Sequence, residues 1–136
     1  MVCLDVRSKE QNMKYVRFQG LKPCLGTPSK IGIFQLAYEL KYSSVTSEYD
    51  DRQIRRDLNW LEMHLDAPSV LDKEQHFRAI CWFKDAAREP LKRIWSMKRI
   101  LEEYGYWIDV VKSERPGNII YEDGWQVVAK PRRRRR

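Results

Sequence analysis

A chain of 136 residues, 43% hydrophobic and 12% aromatic, has the size of one ordinary domain and too much apolar content to be disordered. Its net charge of +7 is concentrated at one end: Arg132 to Arg136 supply five of the 26 basic residues, and without them 21 basic residues face 19 acidic ones. A nearly balanced body argues against a domain-wide cationic nucleic-acid surface.

Cys3, Cys24 and Cys81 form no C-x-x-C pair, and the start of the chain lacks a signal-peptide pattern. That usage fits a reducing compartment. No apolar run approaches the ~18 to 20 residues that span a bilayer. The expectation is a cytoplasmic protein that does not engage membranes.

Residues 1–12 have no hydrophobic period and read as a flexible N-terminal extension, with Met13 an alternative start to Met1. Residues 13–130 read as the α+β domain and 131–136 as a poly-Arg tail. In Tyr15-Val16-Arg17-Phe18, Val16 and Phe18 share one parity, as in a half-buried strand that Gly20 ends. The Pro and Gly content from Lys22 to Pro28 predicts a loop.

Ser29 is placed to cap a helix running to Tyr42, with Ile33, Leu36, Ala37 and Leu40 on one face. Ser47 precedes Glu48, Asp50 and Asp51, carboxylates suited to the positive end of a second helix. Ile54, Leu58, Leu61 and Leu65 form its apolar stripe, and Arg52, Arg55, Arg56, Asp57 and Glu62 are assigned to its wet side. Pro68 helps to stop it.

The unalternating run Ala79 to Phe83 predicts a strand either covered on both faces or lying in a dimer interface. A third helix is expected from Arg88 or Glu89, with Pro90 in its first turn. Leu91, Ile94, Met97, Leu101 and Tyr104 form its stripe, and Gly105 is its C-terminal cap. Three β-rich runs follow, separated by a Pro116-Gly117 turn and by Asp123-Gly124. The latter pair is the residue preference of a two-residue type I′ hairpin. The predicted order is β-α-α-β-α-β-β-β: a single α+β domain with a mostly antiparallel sheet, a C-terminal meander and three amphipathic helices.

The segment Tyr121-Glu122-Asp123, Val127-Val128, Lys130-Pro131 resembles the opening of the pseudouridine synthases. In that family the catalytic aspartate follows in a His-Arg-Leu-Asp motif. Here only His64-Leu65-Asp66 is similar; it lies upstream and lacks the arginine, so the catalytic half is not expected in this chain. Gly32-Ile33-Phe34-Gln35, Ala79 to Lys84, Ile119 to Asp123 and Gln126 to Ala129 together resemble a group of small bacterial proteins without known activity. That resemblance implies a domain from Met13 to Lys130 and no function.

His64, His76, Cys81 and Asp66 are the only residues from which a metal set could be drawn, and their spacing matches no ligand pattern, so no metal or cofactor is expected. The chain has no phosphate-binding Gly-rich loop and no G-x-S-x-G. Cys81, inside an apolar strand, is expected to be an inert thiol.

Lys130 with Arg132, Arg133, Arg134, Arg135 and Arg136 forms a polyanion-binding candidate. Five phosphate contacts on duplex DNA would give a log-log salt slope of roughly −4 to −5, without sequence preference. Trp107, Tyr121 and Trp125 form the candidate contact surface on the C-terminal strands. The leading reading is a non-enzymatic binding module for a protein partner or a second copy. A nucleic-acid-binding accessory protein, using the tail and the sheet aromatics, is the second. A small enzyme with an unfamiliar site is the third.

Overall fold

In the computed structural model, residues 14–23, 30–66 and 78–132 are described. The predicted extension 1–12, Cys3, Cys24, Ser29, His76 and Arg133 to Arg136 lie outside them. The elements are β1 (Tyr15–Pro23), β2 (Lys30–Gly32), α1 (Ile33–Ser43), α2 (Glu48–His64), β3 (Ile80–Lys84), α3 (Arg88–Glu103), β4 (Asp109–Ser113), β5 (Asn118–Glu122) and β6 (Gln126–Lys130). The fold is α+β, with all strand pairs antiparallel.

The helical stripes are largely where their spacing puts them, except that Leu65, Leu91 and Tyr104 are only half-buried and Ile100 joins the buried face of α3. Ile33, Leu36, Ala37 and Leu40 of α1, Ile54, Leu58 and Leu61 of α2, and Ile94, Met97, Ile100 and Leu101 of α3 are buried. They pack with Val16, Phe18 and Phe83 on one face of the sheet. Ser47 caps α2 by accepting from the Asp50 N–H at 3.2 Å. Helix α3 ends in a Schellman arrangement, Gly105 N–H to Glu102 O at 3.2 Å and Tyr106 N–H to Leu101 O at 3.0 Å.

Several expectations need correction. Lys30–Gly32 is a strand rather than the first turn of a helix, so α1 starts at Ile33. Strand β1 runs through Gly20 to Pro23. A Cβ at Gly20 would lie 2.8 Å from Leu36 Cδ1 and 2.9 Å from Ile31 Cγ2, so the missing side chain admits α1 rather than ending the strand. Asp57, assigned to the wet side of α2, is 1% exposed. Tyr106, Trp107 and Ile108 precede β4 instead of belonging to it.

The C-terminal meander is also divided. Strands β5 and β6 form a hairpin, whereas β4 pairs with β1. Tyr15 and Val16 pair with β3 and β4 at once, and Gln19 pairs with β2 and β4 at once. Strands β2 and β3 therefore share one edge of β1 in succession, and β4 holds the other. The path from β4 to β5 crosses β1, β3 and β6.

Flat, four strand spacings and the offset along the strands would separate Ser113 from Asn118 by about 25 Å. The five intervening Cα steps reach roughly 18 Å. The sheet must therefore curl, and Tyr15 of β1 and Ile119 of β5 indeed line one cleft. Its face away from the helices carries a second apolar cluster, Trp82, Val127 and Ala129, with Tyr15, Ile80 and Val111 against it.

Candidate functional site

Where β3 leaves the edge of β1 and β2 takes its place, the sheet forks. Arg17 lies at the fork. Its Nη1–H donates to Cys81 O at 3.3 Å, its Nη2–H to Lys30 O at 2.8 Å, and its Nε–H to Gln19 Oε1 at 3.0 Å. One guanidinium thus serves carbonyls of both β3 and β2, which neutral strand pairing leaves open at a fork.

Beside Arg17 is a cleft of about 280 Å³. Phe18, Ile33, Phe34, Leu61, Leu65 and Phe83 form its apolar walls. Phe34 and Phe83 lie 6.3 Å apart, ring to ring. The carboxylates of Glu62 and Asp66 stand at the exposed rim, while Cys81 and Gln126 close the inner end.

The inner end is tied to the β5–β6 hairpin. Gln126, 3% exposed, accepts from Cys81 Sγ–H at 3.3 Å and donates through Nε2 to Asp66 O at 2.6 Å and to Asp123 Oδ2 at 3.3 Å. Asp123 Oδ1 accepts from the N–H groups of Trp125 at 2.8 Å and Gln126 at 2.9 Å, and its Oδ2 from Tyr121 Oη–H at 2.8 Å. This side-chain turn replaces the predicted type I′ hairpin: the loop is Asp123-Gly124-Trp125, Gly124 has no positive φ, and Ile120 is the extra residue of a bulge in β5.

These contacts set the ionisation of the three groups. Burial is the main reason the Cys81 thiol is pushed up to about 11; the Arg17 charge opposes it and Asp123 adds to it. Tyr121 is raised to about 12, chiefly by its hydrogen bond to Asp123. Partial desolvation pushes Asp123 upward, but its four hydrogen bonds outweigh that and hold the carboxyl below its ordinary value. Near neutral pH the cluster is therefore a thiol, a phenol and a carboxylate.

The sequence-nominated contact residues are not brought together. Tyr121 and Trp125 belong to the hairpin, where Trp125 lies 5.9 Å from the Trp60 ring. Trp107, 61% exposed, precedes β4 beyond the Gln19 level of β1, at the other edge and the other end of the sheet. Its indole N–H donates to Asp109 at 2.9 Å. Of the polyanion set, Lys130 ends β6, and Arg132 is exposed and, like Arg115, lines a cleft of about 690 Å³.

His64 donates from Nδ1 to Trp60 O at 2.8 Å and stacks on the Trp60 ring at 4.1 Å. Among the described residues, no three of His, Cys, Asp and Glu gather to hold a metal ion. No described helix is long and apolar enough to cross a membrane.

The fork cleft itself was not nominated from the sequence. A basic residue between Val16 and Phe18, and Gln126 heading an apolar strand, are the two signals that mark it. No family model, curated protein or solved structure matches the chain.

Proposed function

We propose that this protein is a small non-enzymatic binding module that receives an apolar side chain of a protein partner in the fork cleft. The observation that carries the reading is the cleft: about 280 Å³, walled by six apolar side chains and rimmed by Glu62 and Asp66. That volume falls just below the 300 to 1,000 Å³ usual for small-molecule sites, and suits one large side chain better than a cofactor. The rim carboxylates favour a Lys or Arg beside the apolar anchor. The Cys81 thiol, protonated by burial, and Gln126, already using both ends of its amide, support recognition rather than chemistry.

The test is a library of eight-residue peptides, each with one Leu, Ile, Phe or Trp flanked by Lys or Arg, read by fluorescence anisotropy. Gly32 lines the cleft, and a Cβ there meets nothing within 4 Å; its φ of −81° accepts any L residue. Gly32→Leu should fill the cleft and abolish peptide binding without unfolding the domain. Equal binding by wild type and Gly32→Leu would sink the reading. Light scattering on the same samples reports whether a second copy competes for the site.

A further inference from the structure

We infer that the outer groove between α1 and α2 binds single-stranded nucleic acid. Its lining shares only Glu62 with that of the fork cleft. Arg52, Arg55, Arg56 and Asn59 follow one another at i, i+3, i+4 and i+7, which aligns them on one face of α2. With Lys41 of α1, Leu58 and Glu62 they line a groove of about 510 Å³.

The charge in this groove is mostly uncommitted. Arg55 pairs with Asp51 at 2.8 Å, but the side chains are 51% and 32% exposed, and solvent-screened pairs of this kind are weak. Arg52 and Arg56 have no carboxylate partner among the described residues. Glu62, the one carboxylate in the lining, is engaged by the Tyr38 hydroxyl. A chain with a nearly balanced body thus gathers four cations on one groove.

Helix α1 supplies aromatic faces beside Lys41. Tyr38 and Tyr42 stack with centroids 6.4 Å apart and planes 16° from parallel. Lys41 Nζ lies 5.6 Å from the first ring and 5.3 Å from the second. Tyr42 is nevertheless 72% exposed, which leaves much of its ring open to solvent. Cations that follow a backbone, next to a ring on which a base can stack, are the two components of single-strand recognition.

Duplex DNA and sulfated sugars would use the arginines but leave Tyr42 idle. An anionic membrane would meet the exposed carboxylate of Glu48, at the head of the same helix. From Arg52 to Asn59 the stripe is about 10 Å long, enough for two or three nucleotides. The tail arginines contribute affinity to any polyanion and no preference for an unpaired base.

The experiment uses the full chain and a labelled 12-nucleotide oligo(dT) or oligo(U), titrated by anisotropy at several salt concentrations. Arg52→Gln with Arg56→Gln should weaken binding about tenfold or more and flatten the log-log salt slope by roughly 1.4, about 0.7 per lost phosphate contact. Tyr42→Ala, which removes an exposed ring and no charge, should weaken it about fivefold or more. Arg88→Gln with Lys92→Gln on the exposed face of α3 removes the same charge elsewhere and should change affinity less than about twofold. Equal losses in the two double variants would assign binding to net charge and the tail and overturn the inference. So would an unchanged Tyr42→Ala, equal affinity for a 12-base-pair duplex, displacement by phosphatidylserine vesicles, or no binding by the wild type.

Discussion

Cys81 is the one nucleophilic side chain in the fork cleft, and its surroundings decide what it can do. Burial raises the thiol to about 11, with Arg17 only partly countering the effect. A group raised above its unfolded value of about 9 contributes stability that is intact below pH 9 and lost as pH climbs through 11. The unfolded chain releases the proton first, so the midpoint of urea unfolding should fall between pH 9 and 11, and Cys81→Ser should flatten that part of the profile. At pH 8 the native thiolate fraction is roughly a hundredfold below that of the unfolded thiol. Iodoacetamide labelling of the Cys81 peptide, followed by mass spectrometry, should be slower by at least that factor in the native protein. Labelling at the unfolded rate would mean the thiol is ionised and accessible, and would return it to consideration as a nucleophile. The expectation of an inert thiol was readable because an unalternating apolar run implies a covered strand. Its engagement by Gln126 was not readable, because the two residues are brought together by a strand pairing that no local pattern encodes.

At the scale of elements, the joint between α2 and α3 is where residue type misled and spacing did not. Asp57 lies three residues after Ile54 and four before Leu61, so the helical period places it on the apolar stripe. Its carboxylate is satisfied there by Gln53 Nε2 at 3.2 Å and by Arg93 Nη1 at 3.4 Å from α3. The Arg93 guanidinium also lies 5.4 Å from the Trp60 ring centroid. Removing one member of such a pair strands the other away from water, whereas replacing both with apolar side chains is often neutral. Asp57→Ala should therefore cost about 2 to 3 kcal/mol, toward the lower end for a buried pair because the Arg93 side chain is 26% exposed. Asp57→Leu with Arg93→Met should return to within about 1 kcal/mol of wild type. Urea unfolding of the set provides the cycle; a double variant as unstable as the single one would show that the charges, not the packing, hold the helices together. The three helices and most of their buried stripes were legible because each follows from a local period, and Ser47 and Gly105 were legible as caps, whereas the N-termini of α1 and α3 have no side-chain cap. The short strand Lys30–Gly32 was not, since three residues carry no period of their own.

The whole molecule depends on a curl that no stretch of the sequence announces. The strands on either side of Pro116-Gly117 were legible, but the turn expected between them is not formed: the two residues belong to a stretched link between strands that are not neighbours. Here they lie at opposite edges, and β4 pairs with β1, almost a hundred positions earlier at Tyr15 and Ser113. Closure falls on Gly117. Its φ is +121°, and an added Cβ would sit 2.2 Å from Lys130 O, 2.8 Å from Lys130 C and 3.0 Å from Pro131 Cα. All three atoms are backbone, so nothing can swing aside; the link would have to lift from the end of β6. Gly117→Ala should destabilise the fold by at least about 2 kcal/mol, combining left-handed strain with displacement of the link. Gly124 offers the matched comparison, with no positive φ and nothing within 4 Å of a Cβ. Gly124→Ala should stay within about 0.5 kcal/mol of wild type, or gain slightly by restricting the unfolded chain. Denaturant midpoints decide between them, and equal midpoints for the two variants would mean that the close approach of Gly117 to Lys130 is not what holds the sheet curled.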